Sequence, residues 1–317
     1  MTIASAARPA TRPFGAVGLV GIGLICQEVG ASFAVLLFPA VGAIGMVSIR
    51  LAFSAIVLLV IARPRLRGHS RNDWLTVIVF GIALAVMNAV FYEALARVPL
   101  GATITIEVLG PLVLSVVMSR RASSWLWAVL AFAGVVILGQ GSFGALDPVG
   151  VACAFGAAAM WAGYILLSAR TGARVRRLDG LALAMTIGAV ITVPLGIVGA
   201  GPVIFQPGIL LLGAAVALLS SAIPYALELV ALRRLPSATF SILLSLSPAI
   251  ATTAGFVILG QTVTWGAFVA IGLVITASIG AVLSASRASR SGEPGFSEAL
   301  SETPRLRPTG VHSGTSG

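Results

Sequence analysis

Five ionisable side chains stand inside long apolar runs of this 317-residue chain: Glu28, Arg50, Glu93, Glu107 and Glu228. A charge near the centre of a bilayer costs roughly 2.5–3.5 kcal/mol on insertion scales, so each must face a partner or a wet cavity. Glu93 precedes Arg97 by four residues, the spacing of an ion pair on one helix face. Glu28 and Arg50 fall near the middle of successive runs, where two readings stand side by side. They form a buried structural pair, or the arginine fork grips a substrate carboxylate. Glu228 follows Pro224 and Tyr225 and approaches Arg233, as a structural or gating ion pair would. Glu107 has no cation within a helical turn. Lipid disfavours its charged form, so it either exchanges a proton or stays neutral and hydrogen-bonded in the core. Gly110 and Pro111 follow it closely, and with Pro224 and Pro248 they interrupt helical hydrogen bonding and release carbonyls that can line a cavity. Gln27, Tyr225 and Trp161 complete the candidate substrate and proton pathway.

The elements that must position these groups are set by composition. The chain is 58% hydrophobic and 9% charged, with a mean hydropathy of +1.06. A soluble domain is only about 45–50% apolar, so lipid is the solvent to reason with. The net charge of +10 does not point to nucleic acid, because the basic residues fall in short clusters between apolar runs. All 20 basic residues are arginine. Without lysine the chain has neither the phosphate-binding P-loop amine nor a Schiff-base amine. His69 and His312 lie in predicted aqueous segments, and Cys26 and Cys153 sit singly in apolar runs. No cofactor, metal site or disulfide framework is expected.

At about 20 apolar residues per crossing, helices are expected near 14–37, 42–62, 74–96, 100–119, 125–141, 149–168, 180–200, 208–231, 237–258 and 264–285. The first run exceeds the 7–15 residues of a signal-peptide core and carries Gln27 and Glu28, so it is expected to be retained. With the N-terminus inside, 18 of the 20 arginines fall in cytoplasmic segments, Arg97 falls outside and Arg50 lies within a helix. That asymmetry places both termini in the cytoplasm. Trp74, Trp125, Trp127 and Trp265 sit at span starts, as an interfacial aromatic belt predicts. Residues 1–13 form a cytoplasmic segment, and 286–317, rich in Ser, Gly, Pro and charge, form an expected disordered cytoplasmic tail.

Shifting the sequence by 137 positions superposes Arg97 on Arg234, Pro99 on Pro236 and Pro111 on Pro248, with Ala94 and Leu95 on Ala231 and Leu232. The same shift carries span three onto eight and span four onto nine, so 14–141 and 142–285 each hold five helices. An odd number of crossings makes the halves point oppositely. Inverted repeats recur in secondary transporters, whose site lies near the midplane between the halves. The expected fold is therefore an all-α integral membrane protein of ten transmembrane helices in two inverted five-helix repeats. Small residues four apart, at Ala152 and Gly156, Ala159 and Gly163, Gly188, Thr192 and Gly196, and Gly272, Thr276 and Gly280, suit close helix packing in lipid.

The stretches MNAVFYEALARVPLGATITIEVLGPL with the following SRR, then AAAMWAGYILLSAR, then LSSAIPYALELVALRRLP, resemble the EamA branch of the drug/metabolite transporter superfamily, and within it the bacterial threonine and homoserine exporters. The resemblance runs in order and spacing over nearly all of 14–285. It implies a ten-helix secondary carrier of the bacterial inner membrane that expels small neutral amino acids by proton antiport. Two positions depart from the pattern. Ser247 precedes Pro248 where the group has Glu-Pro, and Gln261 follows Leu259 and Gly260 where it has Leu-Gly-Glu. Both bear on substrate and ion coupling. An exporter of another small metabolite or drug fits the same residues. A membrane-embedded lipid-modifying enzyme would need a His, Asp or Ser/His constellation at the interface, which the sequence lacks, and a channel is disfavoured by the repeat and the mid-span charges.

Overall fold

A computed structural model describes residues 13–119, 122–139, 146–175, 177–224, 227 and 242–290. Among them every regular element is helical. The first, α1 (Pro13–Ala62), unites the two expected helices at 14–37 and 42–62 as arms of one bent rod. The bend is at Gly42, whose φ of 68° and ψ of 171° favour a residue without Cβ, three positions after Pro39. Proline and glycine together turn the chain there without an intervening loop.

The next helix, α2 (Arg71–Leu95), opens on a capping box. Ser70 Oγ accepts the Asp73 N–H, and the Asp73 carboxylate accepts the Ser70 N–H. The span expected over 100–119, with its helical bonding interrupted near Gly110 and Pro111, is divided into α3 (Leu100–Glu107) and α4 (Leu109–Ser119), with a turn at Val108. Pro111 is the cause. It has no N–H to offer the carbonyl four residues back, which is that of Glu107.

Beyond α5 (Ala122–Gly139), α6 (Pro148–Arg174) starts at Asp147, whose side chain accepts the Val149 N–H, with Pro148 in the first turn. It runs six residues past its expected end at 168, because polar Ser, Arg and Thr continue a helix once it leaves lipid. A 3₁₀ turn (Gly201–Phe205) joins α7 (Arg177–Ala200) to α8 (Pro207–Ala217), which widens into a π turn at Leu218–Ala222. Residues 228–241 lie outside the described residues. The ninth helix, α9 (Ser247–Leu259), follows a turn at Ser245–Leu246 and ends at Gly260, which is left-handed with φ of 65°. The last, α10 (Trp265–Arg290), extends five residues into the tail expected to be disordered, carried by the helix-favouring Ser-Arg-Ala-Ser-Arg run; residues 291–317 lie outside the described residues.

Seven of these helical stretches are long and apolar enough to cross a membrane, the first of them 46 residues long, and Trp125–Ile137 and Pro207–Ala222 are shorter apolar helices. Val198, Leu211 and Val257 point outward at 85%, 73% and 70% exposure, and the apolar length of these helices makes hydrocarbon their natural surroundings. The chain is an all-helical, multi-pass membrane protein. Its interior is built across the two halves of the sequence: α1 packs on α7, α2 on α6, α3 on α9 and α5 on α10. Close approach depends on small residues. A side chain on Gly110 would overlap the Ala158 carbonyl, one on Gly196 would meet Ser48, and one on Gly280 would meet Trp127. Gly163 and Gly272, from the same spacing pattern, have open space instead. Trp127 departs from the expected aromatic belt by turning inward, its indole N–H donating to Ser284 Oγ at 2.9 Å.

Candidate functional site

Glu28 lies in the first arm of α1 and is 1% exposed. Its carboxylate accepts a hydrogen bond of 2.6 Å from Ser247 Oγ, 219 positions further along the chain. Ser247 is the first residue of α9, so the carboxylate also sits near the positive end of a helix that begins inside the protein. Pro248 is the second residue of that helix, where its missing N–H would have had no helical partner in any case. Within α1, Ser32 Oγ donates to the Glu28 carbonyl at 2.9 Å.

Arg50 lies in the second arm of α1 and is half-buried. One terminal nitrogen donates to Asn88 Oδ1 at 2.8 Å, and the other reaches the Ser220 carbonyl in the π turn at 3.4 Å. Asn88 is oriented in turn by donating from Nδ2 to the Leu84 carbonyl at 2.8 Å. The guanidinium carbon stands 5.4 Å from the centre of the Tyr92 ring, within cation–π range. Among the described residues, Glu28 and Arg50 form no ion pair, because each is held by other groups. They remain within electrostatic reach of each other.

Glu107 closes α3 at the Val108 turn, half-buried and close enough to feel the charges of both Glu28 and Arg50. The structure thus gathers three of the sequence-predicted pathway residues into one polar cluster around the helix breaks. Gly110 packs against α6, and Pro111 lies in the first turn of α4. Half-buried Gln27 precedes Glu28 in α1, and half-buried Trp161 packs against the apolar core of α3, α4, α9 and α10. Buried Pro224 lies against Gly23, while Tyr225 and Glu228 fall outside the described residues.

Glu93 and Arg97 do pair, at an aqueous end of α2. Arg97 also reaches Asp147 at 3.6 Å and so ties α2 to the start of α6. The hydrogen bond that Arg97 donates to Glu93, then the Glu93 charge, raises the Arg97 pKa. At the opposite end of the same helices Asp73 faces Arg174 at 3.8 Å.

Sequence reasoning missed Asn88, Tyr92 and Ser220 as partners of Arg50. The available signal was the four-residue spacing of Asn88 and Tyr92, which puts both on one face of α2. Gln261, noted only as a departure, accepts the Leu100 N–H through Oε1 at 3.1 Å and rests against Gly255. It therefore caps the first turn of α3 from across the molecule.

Residues 148–283 match the EamA-like transporter family. The threonine/homoserine exporter RhtA of Salmonella typhimurium (strain LT2) is 40% identical over 261 residues, covering 81% of this chain and 88% of that protein. RhtA of Escherichia coli (strain K12) is 39% identical over 264 residues, covering 82% and 89%. A protein of known crystal structure, 20% identical, covers 88% of this chain and 99% of its own with a TM-score of 0.58, and so shares the fold.

Proposed function

Because the chain belongs to the EamA-like transporter family, we propose that it is a secondary active exporter of small neutral amino acids of the threonine and homoserine kind. It works across the bacterial inner membrane by proton antiport, with both termini in the cytoplasm. The observation that carries this reading is a pair of interrupted apolar segments. One breaks at Val108 and the other at Ser245–Leu246. Val108 and Ser245 are separated by the same 137 positions that superpose Pro111 on Pro248. Matching interruptions in corresponding positions of two halves are the mark of a midplane site in a transporter. Here the interruptions carry Glu107 on one side and Ser247, bound to Glu28, on the other.

Ten crossings in two inverted halves follow on this reading. The 46-residue first stretch supplies two, divided at Gly42, and the two shorter apolar helices join the six remaining long ones. The packing of α1 on α7, α3 on α9 and α5 on α10 pairs spans two, four and five with their counterparts five places on, while span three packs on span six as α2 on α6, an arrangement that supports a pseudo-two-fold relation between the halves.

Antiport needs a group that holds either a proton or the charge balance of the cargo, but not both. Glu107 suits that role because its charge is expensive in lipid and it stands at an opening in the helix, beside Glu28 and Arg50. The test is a reconstituted transporter loaded with labelled threonine or homoserine. Glu107→Gln should insert normally and lose gradient-driven export, while counterflow exchange, which needs no net proton movement, survives. Export by Glu107→Gln at the unaltered rate and pH dependence would make Glu107 structural and move the role to Glu28.

A further inference from the structure

A guanidinium offers five N–H donors, and the terminal nitrogens of Arg50 reach Asn88 Oδ1 and the Ser220 carbonyl. Its Nε is buried without a hydrogen-bond partner. The Tyr92 hydroxyl, on a wholly buried side chain beside the guanidinium, has at most Arg50 itself for a partner and donates its proton to no group among the described residues. Each buried donor left unpaired costs about 1–3 kcal/mol. Two such donors, adjacent to a cation that among the described residues has no carboxylate at ion-pair distance, ask for one occupant that is anionic and accepts two hydrogen bonds. Glu28 does not supply it, since its carboxylate is taken by Ser247.

We propose that Arg50 Nε–H and the Tyr92 hydroxyl form the subsite that receives the carboxylate of the cargo. This rests on the reading of the chain as an amino-acid exporter. A carboxylate is the matching shape, because its two oxygens lie side by side and meet a fork of donors without distortion. The subsite is organised before the ligand arrives: Asn88, itself tied to the Leu84 carbonyl, and the Ser220 carbonyl fix the guanidinium from two sides, and the Tyr92 ring faces it. Those partners come from α2 and from the π turn after α8, one in each half of the chain, so the bound carboxylate lies where the halves meet.

The test measures thermal stabilisation of the detergent-solubilised full chain by three compounds. Threonine carries carboxylate and ammonium, 2,3-dihydroxybutyrate the carboxylate alone, and threonine amide the ammonium alone. Threonine should stabilise the protein and its amide should not. Tyr92→Phe removes a hydroxyl that donates to no group among the described residues and leaves the fold intact; it should weaken threonine about tenfold, the loss of one charge-assisted hydrogen bond. Arg50→Lys keeps the charge but loses the fork, and should weaken threonine at least as much. Should Arg50→Lys fail to insert, Tyr92→Phe decides alone. Undiminished threonine binding by Tyr92→Phe overturns the proposal, as does amide binding equal to that of threonine in the unaltered protein. Dihydroxybutyrate binding without threonine binding would retire the amino-acid reading and keep the subsite. Stabilisation by neither carboxylate ends the subsite itself.

Discussion

A hydroxyl stands at Ser247, where the resemblance to the exporter group implies a carboxylate, and it donates to Glu28 across the molecule. A glutamate in its place would set two carboxylates against each other in a buried site, where one of them must hold a proton. With serine, Glu28 is a single acceptor satisfied by a neutral donor. Ser247→Ala should therefore leave Glu28 buried without its partner and destabilise the protein by about 1–3 kcal/mol, read as a fall in melting temperature in detergent. An unchanged melting temperature would mean that the hydrogen bond contributes nothing. Gln261 teaches the opposite lesson, because a position that looked like a determinant of coupling spends its side chain capping α3. Residue type alone did not separate the two, since both are polar substitutions near the ends of the same helix.

The elements that matter are the broken ones. A continuous helix over 100–119 would bury Glu107 mid-rod with its backbone fully paired. The turn at Val108 instead makes it the end of α3, because Pro111 withholds the N–H that the Glu107 carbonyl would have used. The fragments stay seated because Gly110 lets α4 touch the backbone of α6 at Ala158. Gly110→Val should force α4 and α6 apart and lower thermal stability by about 1–3 kcal/mol, with reduced transport. Gly163→Ala, on α6 with open space around it, should be silent. Equal effects from the two would show that the close approach at Gly110 is not what seats α4. The interruptions at Pro111 and Pro248 were legible in the sequence, since proline chemistry is local. The π turn at Leu218–Ala222 was marked only indirectly, by Pro224 two residues beyond it, which has no N–H for the Ser220 carbonyl.

At the scale of the whole molecule the arginine asymmetry predicts orientation, and a ten-crossing chain puts the ends of spans two and five on opposite sides. Reporter fusions after Ala62 and after Ser142 should accordingly give cytoplasmic and outer-face signals, and the same location for both would remove the ten-crossing layout. The sequence by itself determined that the chain is helical and lives in lipid. It also placed most of the described helix ends to within a few residues and singled out Glu28, Arg50 and Glu107, because apolar run length, proline geometry and the cost of charge in hydrocarbon are properties of local sequence. Only the tertiary structure decided who meets whom. That Glu28 faces Ser247 and not Arg50, that Arg50 rests on Asn88 and Ser220, and that Gln261 caps α3 are contacts between residues 38 to 219 positions apart. Such pairings depend on how rods already formed are packed and turned against one another. In lipid, where exposed apolar surface carries no penalty, hydropathy does not record which face of a rod turns inward.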